Sequence, residues 1–202
     1  MKRWRQRRIR SRPWPDVDCW ALDLEMSGLD PGRDRIVAVG MVPVRERAVR
    51  VGARFASLVG GQGPLSGAGV TVHHLLPAQL VDAPPLGTVM AEVDRRLRDA
   101  VVVLHAGSVD LPFLRRAYRE TGRPWPDPPV VDTLALLRRH ERHRLVHEPA
   151  ETAVPASLSA ARARFGLPAH DSHDALSDAI ATAELLLVLA QRLGARTVGD
   201  LV

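Results

Sequence analysis

Residues 19–44 read CWALDLEMSGLDPGRDRIVAVGMVPV. Two apolar runs, Cys19–Glu25 and Ile36–Val44, flank a stretch, Ser27–Arg35, that holds two glycines, a proline and two aspartates. That is a strand, a turn and a second strand, which pair antiparallel. Asp23 and Glu25 lie two residues apart on the first strand, so both side chains leave the same face. Two carboxylates on one face of a buried strand cost stability unless cations or polar partners compensate. The pair therefore marks either a binding site or a defect, and a cation site removes the defect.

Outward from this hairpin, Val49–Leu58 is predicted as a third strand, giving an antiparallel meander. Residues 60–69 are Gly-rich and read as a loop. Leu86, Val89, Met90, Val93 and Leu97 have helical spacing over 86–98. Val101–Leu104 is wholly apolar, as a strand covered on both faces is. Leu111–Glu120 reads as a helix and Val130–Val131 as a short strand. Asp132 or Thr133 is placed to cap a helix over 134–140. Further helices are predicted over 157–165 and 173–193. Strands first, then alternating helix and strand, predict an α/β fold with a mixed sheet and helices on both faces.

The chain has 202 residues and one cysteine, Cys19, which excludes an intramolecular disulfide framework and suits a reducing cytoplasm. No apolar run approaches the roughly 20 residues that span a bilayer, so no membrane association is expected. The net charge of +5 is unevenly spread. Seven of the 28 Lys and Arg fall within the first twelve residues, and the remainder is slightly acidic. Residues 1–15 therefore read as a basic, flexible arm, with Trp4 and Trp14 available to stack on bases. Residues 16–202 read as one domain.

Beyond the hairpin, Asp110 stands after the Val101–Leu104 strand, and His173 and Asp178 stand in HDALSDA. Four carboxylates brought to one place repel unless divalent cations neutralise them, and hard oxygen ligands suit Mg²⁺ or Mn²⁺. A histidine beside such cations is a natural general base for water. Together these are the parts of metal-assisted phosphodiester hydrolysis.

Three motifs occur in order: Asp23-Leu24-Glu25 with Ser27-Gly28-Leu29-Asp30-Pro31 and Asp34-Arg35-Ile36-Val37; His105 through Asp110 with Phe113-Leu114; and His173-Asp174-Ala175-Leu176-Ser177-Asp178-Ala179. In this order they resemble the DEDDh 3′–5′ exonucleases, the family of proofreading exonucleases and DNA polymerase III epsilon subunits, from about Trp20 to Leu193. The resemblance implies a ribonuclease-H-like fold, a mixed five-stranded sheet with the first strand central. It implies two ions, Mg²⁺ or Mn²⁺, on Asp23, Glu25, Asp110 and Asp178, with His173 as base. It also implies substrate contacts at Leu24, Met26, Ser27, Gly28, His73 and His105. The expected activity is release of nucleoside monophosphates from single-stranded or frayed 3′ ends, DNA favoured over RNA, with a DNA polymerase as a candidate partner. An oligoribonuclease-like RNA exonuclease and a catalytically weak nucleic-acid-binding or polymerase-associated module are the alternatives.

His170 competes with His173 for the role of base. Only His173 has the family spacing to Asp178, so His170 is expected to be idle. Asp171 and Asp174 suit a helix start, and Asp30, Asp34, Asp132 and Glu184 read as structural. The basic run Arg138–Arg144 suits a helix C-terminus. Three positions depart from the family pattern. Ala106 and Val109 replace the usual Asn and Phe of the second motif, and Ala38 replaces the usual Glu after the first.

Overall fold

The computed structural model describes residues 2–61, 77–145 and 154–202. Strands β1 (Cys19–Met26), β2 (Ile36–Arg45), β3 (Ala48–Val49), β4 (Phe55–Leu58), β5 (Val101–Leu104) and β6 (Val130–Asp132) form one sheet. Its order is β3-β2-β1-β5-β6, with β4 also on β2. β1 is central, antiparallel to β2 and parallel to β5, so the sheet is mixed as expected. The helices are α1 (Lys2–Arg10), α2 (Leu86–Leu97), α3 (Asp110–Glu120), α4 (Thr133–Leu145), α5 (Leu158–Ala163) and α6 (Ala175–Arg192).

Alternation along β1 divides the core in two. Trp20, Leu22 and Leu24 bury one face against residues of α2 and α3, among them Val89, Val93, Phe113 and Leu114. Cys19 and Ala21 bury the other against α6, through Ala179, Ala183 and Leu186. Asp23 and Glu25 continue this second row, so the α6 side of the sheet is the side that carries carboxylates.

The sheet has six strands rather than five, because the strand predicted over 49–58 is broken. β3 pairs with Val44 and Arg45, and the amide of Arg50 then donates to Pro43 O at 2.9 Å. Pro43 has no N–H to return, so the ladder ends there. The chain turns through a 3-10 segment, Val51–Ala53, and β4 rejoins β2 opposite Ala38–Met41.

Gly40 lies on β2 opposite Asp23. A Cβ there would stand 2.1 Å from Ala175 O and 2.4 Å from Leu176 N. The first turn of α6 therefore rests directly on the strand, and a bare backbone is what admits it. Gly40→Ala must push this turn away. We expect it to cost about 2–3 kcal/mol, as overpacking does, and so to lower Tm by about 4–12 °C in a domain of this size. An unchanged Tm would show that α6 does not seat on Gly40.

Residues 1–15 were expected to form a flexible arm. In the structure Ile9 is 7% exposed and Trp14 3% exposed, both within the core on the α6 side. The Trp14 indole donates to Ala195 O at 3.0 Å. Backbone hydrogen bonds join Trp14 to Arg196 and Val198 to Arg12, and Gln6 donates to Asp127. Stacking of Trp14 on bases is thereby corrected, since its ring is enclosed; the Trp4 side chain lies outside the described ones. The packing was hidden in sequence because one Ile in an arginine run carries no periodicity, and tertiary contact rather than propensity holds such a helix. Among the described residues no helix is long and apolar enough to cross a membrane.

Candidate metal and catalytic site

The site forms where the carboxyl end of β1 meets the start of α6. Asp174 caps α6, its side chain accepting from Ser177 N at 2.8 Å, which fulfils its expected role at the helix start. Asp178 follows in the first turn. Carboxylate oxygens of Asp23, Glu25 and Asp178 lie within 4.8 Å of one another, an arrangement that could hold a metal ion. Asp110 opens α3 and is 6% exposed. Val109, not Asp110, holds the N-cap position of that helix. The charge of Asp110 falls on Asp23.

Burial and mutual repulsion set the electrostatics. Desolvation, then Asp110, Asp178, Glu25 and Asp174, hold the Asp23 carboxyl well above the usual carboxylate range. Glu25 is pushed up to about 7, by burial first and then by Asp178, Asp174 and Asp110. Asp110 is pushed up to about 7 by burial, against backbone hydrogen bonds at Asp110 and Leu24 that pull it down. Three carboxylates whose ionisation is opposed in this way, with the Asp178 carboxylate among them, are a donor set of hard oxygens that fits a divalent cation.

The two histidines occupy different places. His170 Nε2 donates to Asp178 Oδ1 at 2.7 Å. His173 donates its backbone N–H to Asp178 Oδ2 at 2.8 Å, with its side chain exposed. Its φ of 70° lies in the left-handed region, which histidine adopts more readily than most residues and which aims the amide at the carboxylate. Asp178 is thus held by two donors from one loop. That loop is itself fastened by Arg162, 2% exposed. Arg162 donates to Pro168 O at 3.0 Å and Ala181 O at 2.8 Å, and pairs with Glu184 at 2.7 Å.

The second motif turns on Asp132. Its carboxylate accepts from the amides of Ala106 at 3.1 Å, Gly107 at 3.0 Å and Leu134 at 2.9 Å. One side chain therefore caps α4 and holds the turn that delivers Asp110. Ala106 sits at φ 54°, where the Asn usual in the family is at ease and an alanine costs about 1 kcal/mol. His105 lies between Thr133 Oγ1 at 2.8 Å and Ala156 O at 3.0 Å. Both ring nitrogens are engaged within the protein.

Four of the remaining predicted substrate contacts lie at and just after the end of β1. Leu24 is buried on the α3 side and Met26 packs beside it. Ser27 accepts from Arg35 N and donates to Asp34, and a Cβ on Gly28 would strike the Asp34 carboxylate. These two residues build the β1–β2 turn. His73 lies outside the described residues. Sequence reasoning missed Gly40, Arg162 and the contact of His170. A lone glycine inside an apolar strand was the available signal for the first; no local pattern marks the other two.

The sequence profile of the exonuclease family RNase_T matches residues 20–186. A DNA polymerase III subunit epsilon-like protein of Rhodobacter capsulatus is 34% identical over 177 residues, which are 86% of this chain and 24% of that protein. A PolC-type DNA polymerase III of Staphylococcus aureus is 26% identical over 88% of this chain and 12% of its own length. The chain thus spans a quarter or less of these relatives. Among solved structures, E. coli Exonuclease I in complex with a dT13 oligonucleotide superposes with a TM-score of 0.74 at 14% identity, over 88% of this chain and 42% of that one. Exonuclease X in complex with 5′ overhanging duplex DNA gives 0.67 at 21%, over 91% and 97%. Three motifs converging at the end of the central strand, the matching profile and these likenesses agree: the chain belongs to the RNase_T family of exonucleases, with the DEDDh motifs, and has a ribonuclease-H-like fold.

Proposed function

We propose that the chain is a metal-dependent 3′–5′ exonuclease that releases nucleoside monophosphates from single-stranded or frayed ends, DNA favoured over RNA. The observation that carries this is the cluster of Asp23, Glu25 and Asp178 within 4.8 Å, with Asp110 beside it. Asp23, Glu25, Asp110 and Asp178 would hold two divalent ions, Mg²⁺ or Mn²⁺. Such a pair activates water and neutralises charge on the leaving 3′-oxygen. Asp23 and Glu25 fix the donors from the rigid central strand, Asp178 from the seated helix and Asp110 from the turn that Asp132 holds. His173, exposed at the rim of the cluster, takes the proton of the attacking water. His170 and the His173 amide orient Asp178. A DNA polymerase is the partner to test, on the strength of the relatives' names.

The test is hydrolysis of end-labelled single-stranded DNA, RNA, duplexes and dinucleotides with Mg²⁺, Mn²⁺ or chelator. Mononucleotides should leave the 3′ end of single strands, chelator should abolish this, and either metal should restore it. Hydrolysis that survives thorough chelation would remove the metal from the reaction. Release from the 5′ end would reverse the polarity. Dinucleotides cut in strong preference to longer strands would favour the oligoribonuclease-like alternative.

A further inference from the structure

The docked arm turns one end of the molecule into a cationic face. α1 holds itself to the domain through Ile9 and Gln6, while Arg7 and Arg10 are exposed. Beside it a groove of about 360 Å³ is lined by Trp14, Arg47, Leu187, Ala190, Gln191 and Arg196. Apolar side chains and guanidinium groups share its lining, with Arg47 5.8 Å over the Trp14 ring. Among the described residues no carboxylate pairs with Arg7, Arg10, Arg47 or Arg196. Of the acids beside this face, Glu46 pairs with Arg50, and Asp200 accepts from the backbone amides of Arg196 and Thr197.

This face lies at the far end of the molecule from the carboxylates. Trp14 leads into β1 at Cys19, whereas Glu25 is six residues along it, about 20 Å at the strand rise. Asp178 opens α6 and Arg192 closes it, again about 20 Å at the helical rise. Guanidinium groups beside apolar side chains match a sugar–phosphate backbone, which offers anionic oxygens and an apolar sugar together. We propose that α1 and the Arg47–Arg196 groove bind the backbone of the nucleic acid upstream of the end held at the carboxylates. The proposal rests on the exonuclease reading for the identity of the strand. A dinucleotide cannot reach both places; a strand of about 16 nucleotides, the upper end of single-strand site sizes for one small domain, can.

The experiment compares the full chain with Arg7→Gln/Arg10→Gln/Arg47→Gln/Arg196→Gln, and with the same four changed to Lys. Affinity for a single strand of about 30 nucleotides is measured in chelator, where nothing is cut, across a salt series. Loss of four phosphate contacts should flatten the salt slope by up to about 3, at about 0.7 per phosphate for single strands, while the Lys variant retains most of it. Dinucleotide hydrolysis should be the same in all three proteins. An equal affinity and slope in the Gln variant overturns the proposal. So does binding of anionic phosphatidylglycerol vesicles through these arginines with no effect on the strand. Because binding is read without turnover, failure of the hydrolytic reading would appear in the metal-dependent assay and not in the slope.

Discussion

Asp23→Asn is expected to abolish hydrolysis and to leave the metal-free protein at least as stable as the wild type. The first half follows from losing the donor at the centre of the cluster, and with it several kcal/mol of transition-state stabilisation, roughly 10³-fold in rate or more. The second half follows from what the carboxylate does to the fold. Burial and four acidic neighbours oppose its ionisation, so an uncharged isostere relieves strain rather than adding it. Loss of folding in Asp23→Asn, rather than loss of hydrolysis, would assign the residue to the scaffold.

The same electrostatics give the metal-free protein a pH dependence of definite sign. Glu25 and Asp110 have ordinary values of 4.5 and 3.8 and are both pushed up to about 7 in the folded state. Between those limits the folded protein holds protons that the unfolded chain has already released. Their contribution to stability is therefore fully present below about pH 4 and is lost as pH rises to about 7, after which it is constant. Each group loses about 1.4 kcal/mol for every pH unit crossed in that interval. Denaturant titrations in chelator should show this fall, on the order of 3 kcal/mol for each group. Glu25→Gln should flatten it, and Mn²⁺ at neutral pH should restore the lost stability by binding only the folded form. A stability that rises from pH 4 to 7 in chelator would contradict the cluster's electrostatics.

The second large effect separates the two histidines. His173→Ala should slow the single-turnover rate by roughly 10²–10⁴-fold, the usual worth of a general base, with Mn²⁺ affinity nearly intact. Its backbone amide, which holds Asp178, survives the substitution. The fall in rate at low pH, where a protonated base is silent, should vanish with the side chain. His170 is not idle as its spacing suggested, because it donates to Asp178 Oδ1. Loss of a donor that orients a ligating carboxylate typically costs 10–100-fold in metal affinity. His170→Ala should therefore weaken Mn²⁺ binding by roughly that factor and keep the acid limb. If His170→Ala loses the limb and His173→Ala keeps it, the roles are exchanged.

Much of this was legible in the chain. The hairpin of residues 19–44 announces itself by apolar runs around a Gly- and Asp-rich turn, and the period of two puts Asp23 and Glu25 on one face. What escaped depended on contacts between segments distant in sequence. The edge strand over 49–58 looked continuous because the interruption comes from its neighbour: Pro43, on β2, ends the ladder. The arm looked solvated because its charges outnumber Ile9 and Trp14, whose burial depends on the segment around Ala195 and Thr197. Spacing distinguished His173 from His170 as a motif position. It could not show that a left-handed turn at His173 sends one residue's amide and another's imidazole to the same carboxylate.

Cys19 has a practical consequence. It is fully buried at the start of β1, and its thiol is pushed up to about 12 by burial and then by Asp18. Alkylating reagents attack the thiolate, so the native protein should remain unlabelled under native conditions. A cysteine introduced as Leu29→Cys, at a position 78% exposed in the turn after β1, would then be the sole reactive handle. A dye or nitroxide could be attached there, beside the carboxylate cluster, without first removing the native cysteine.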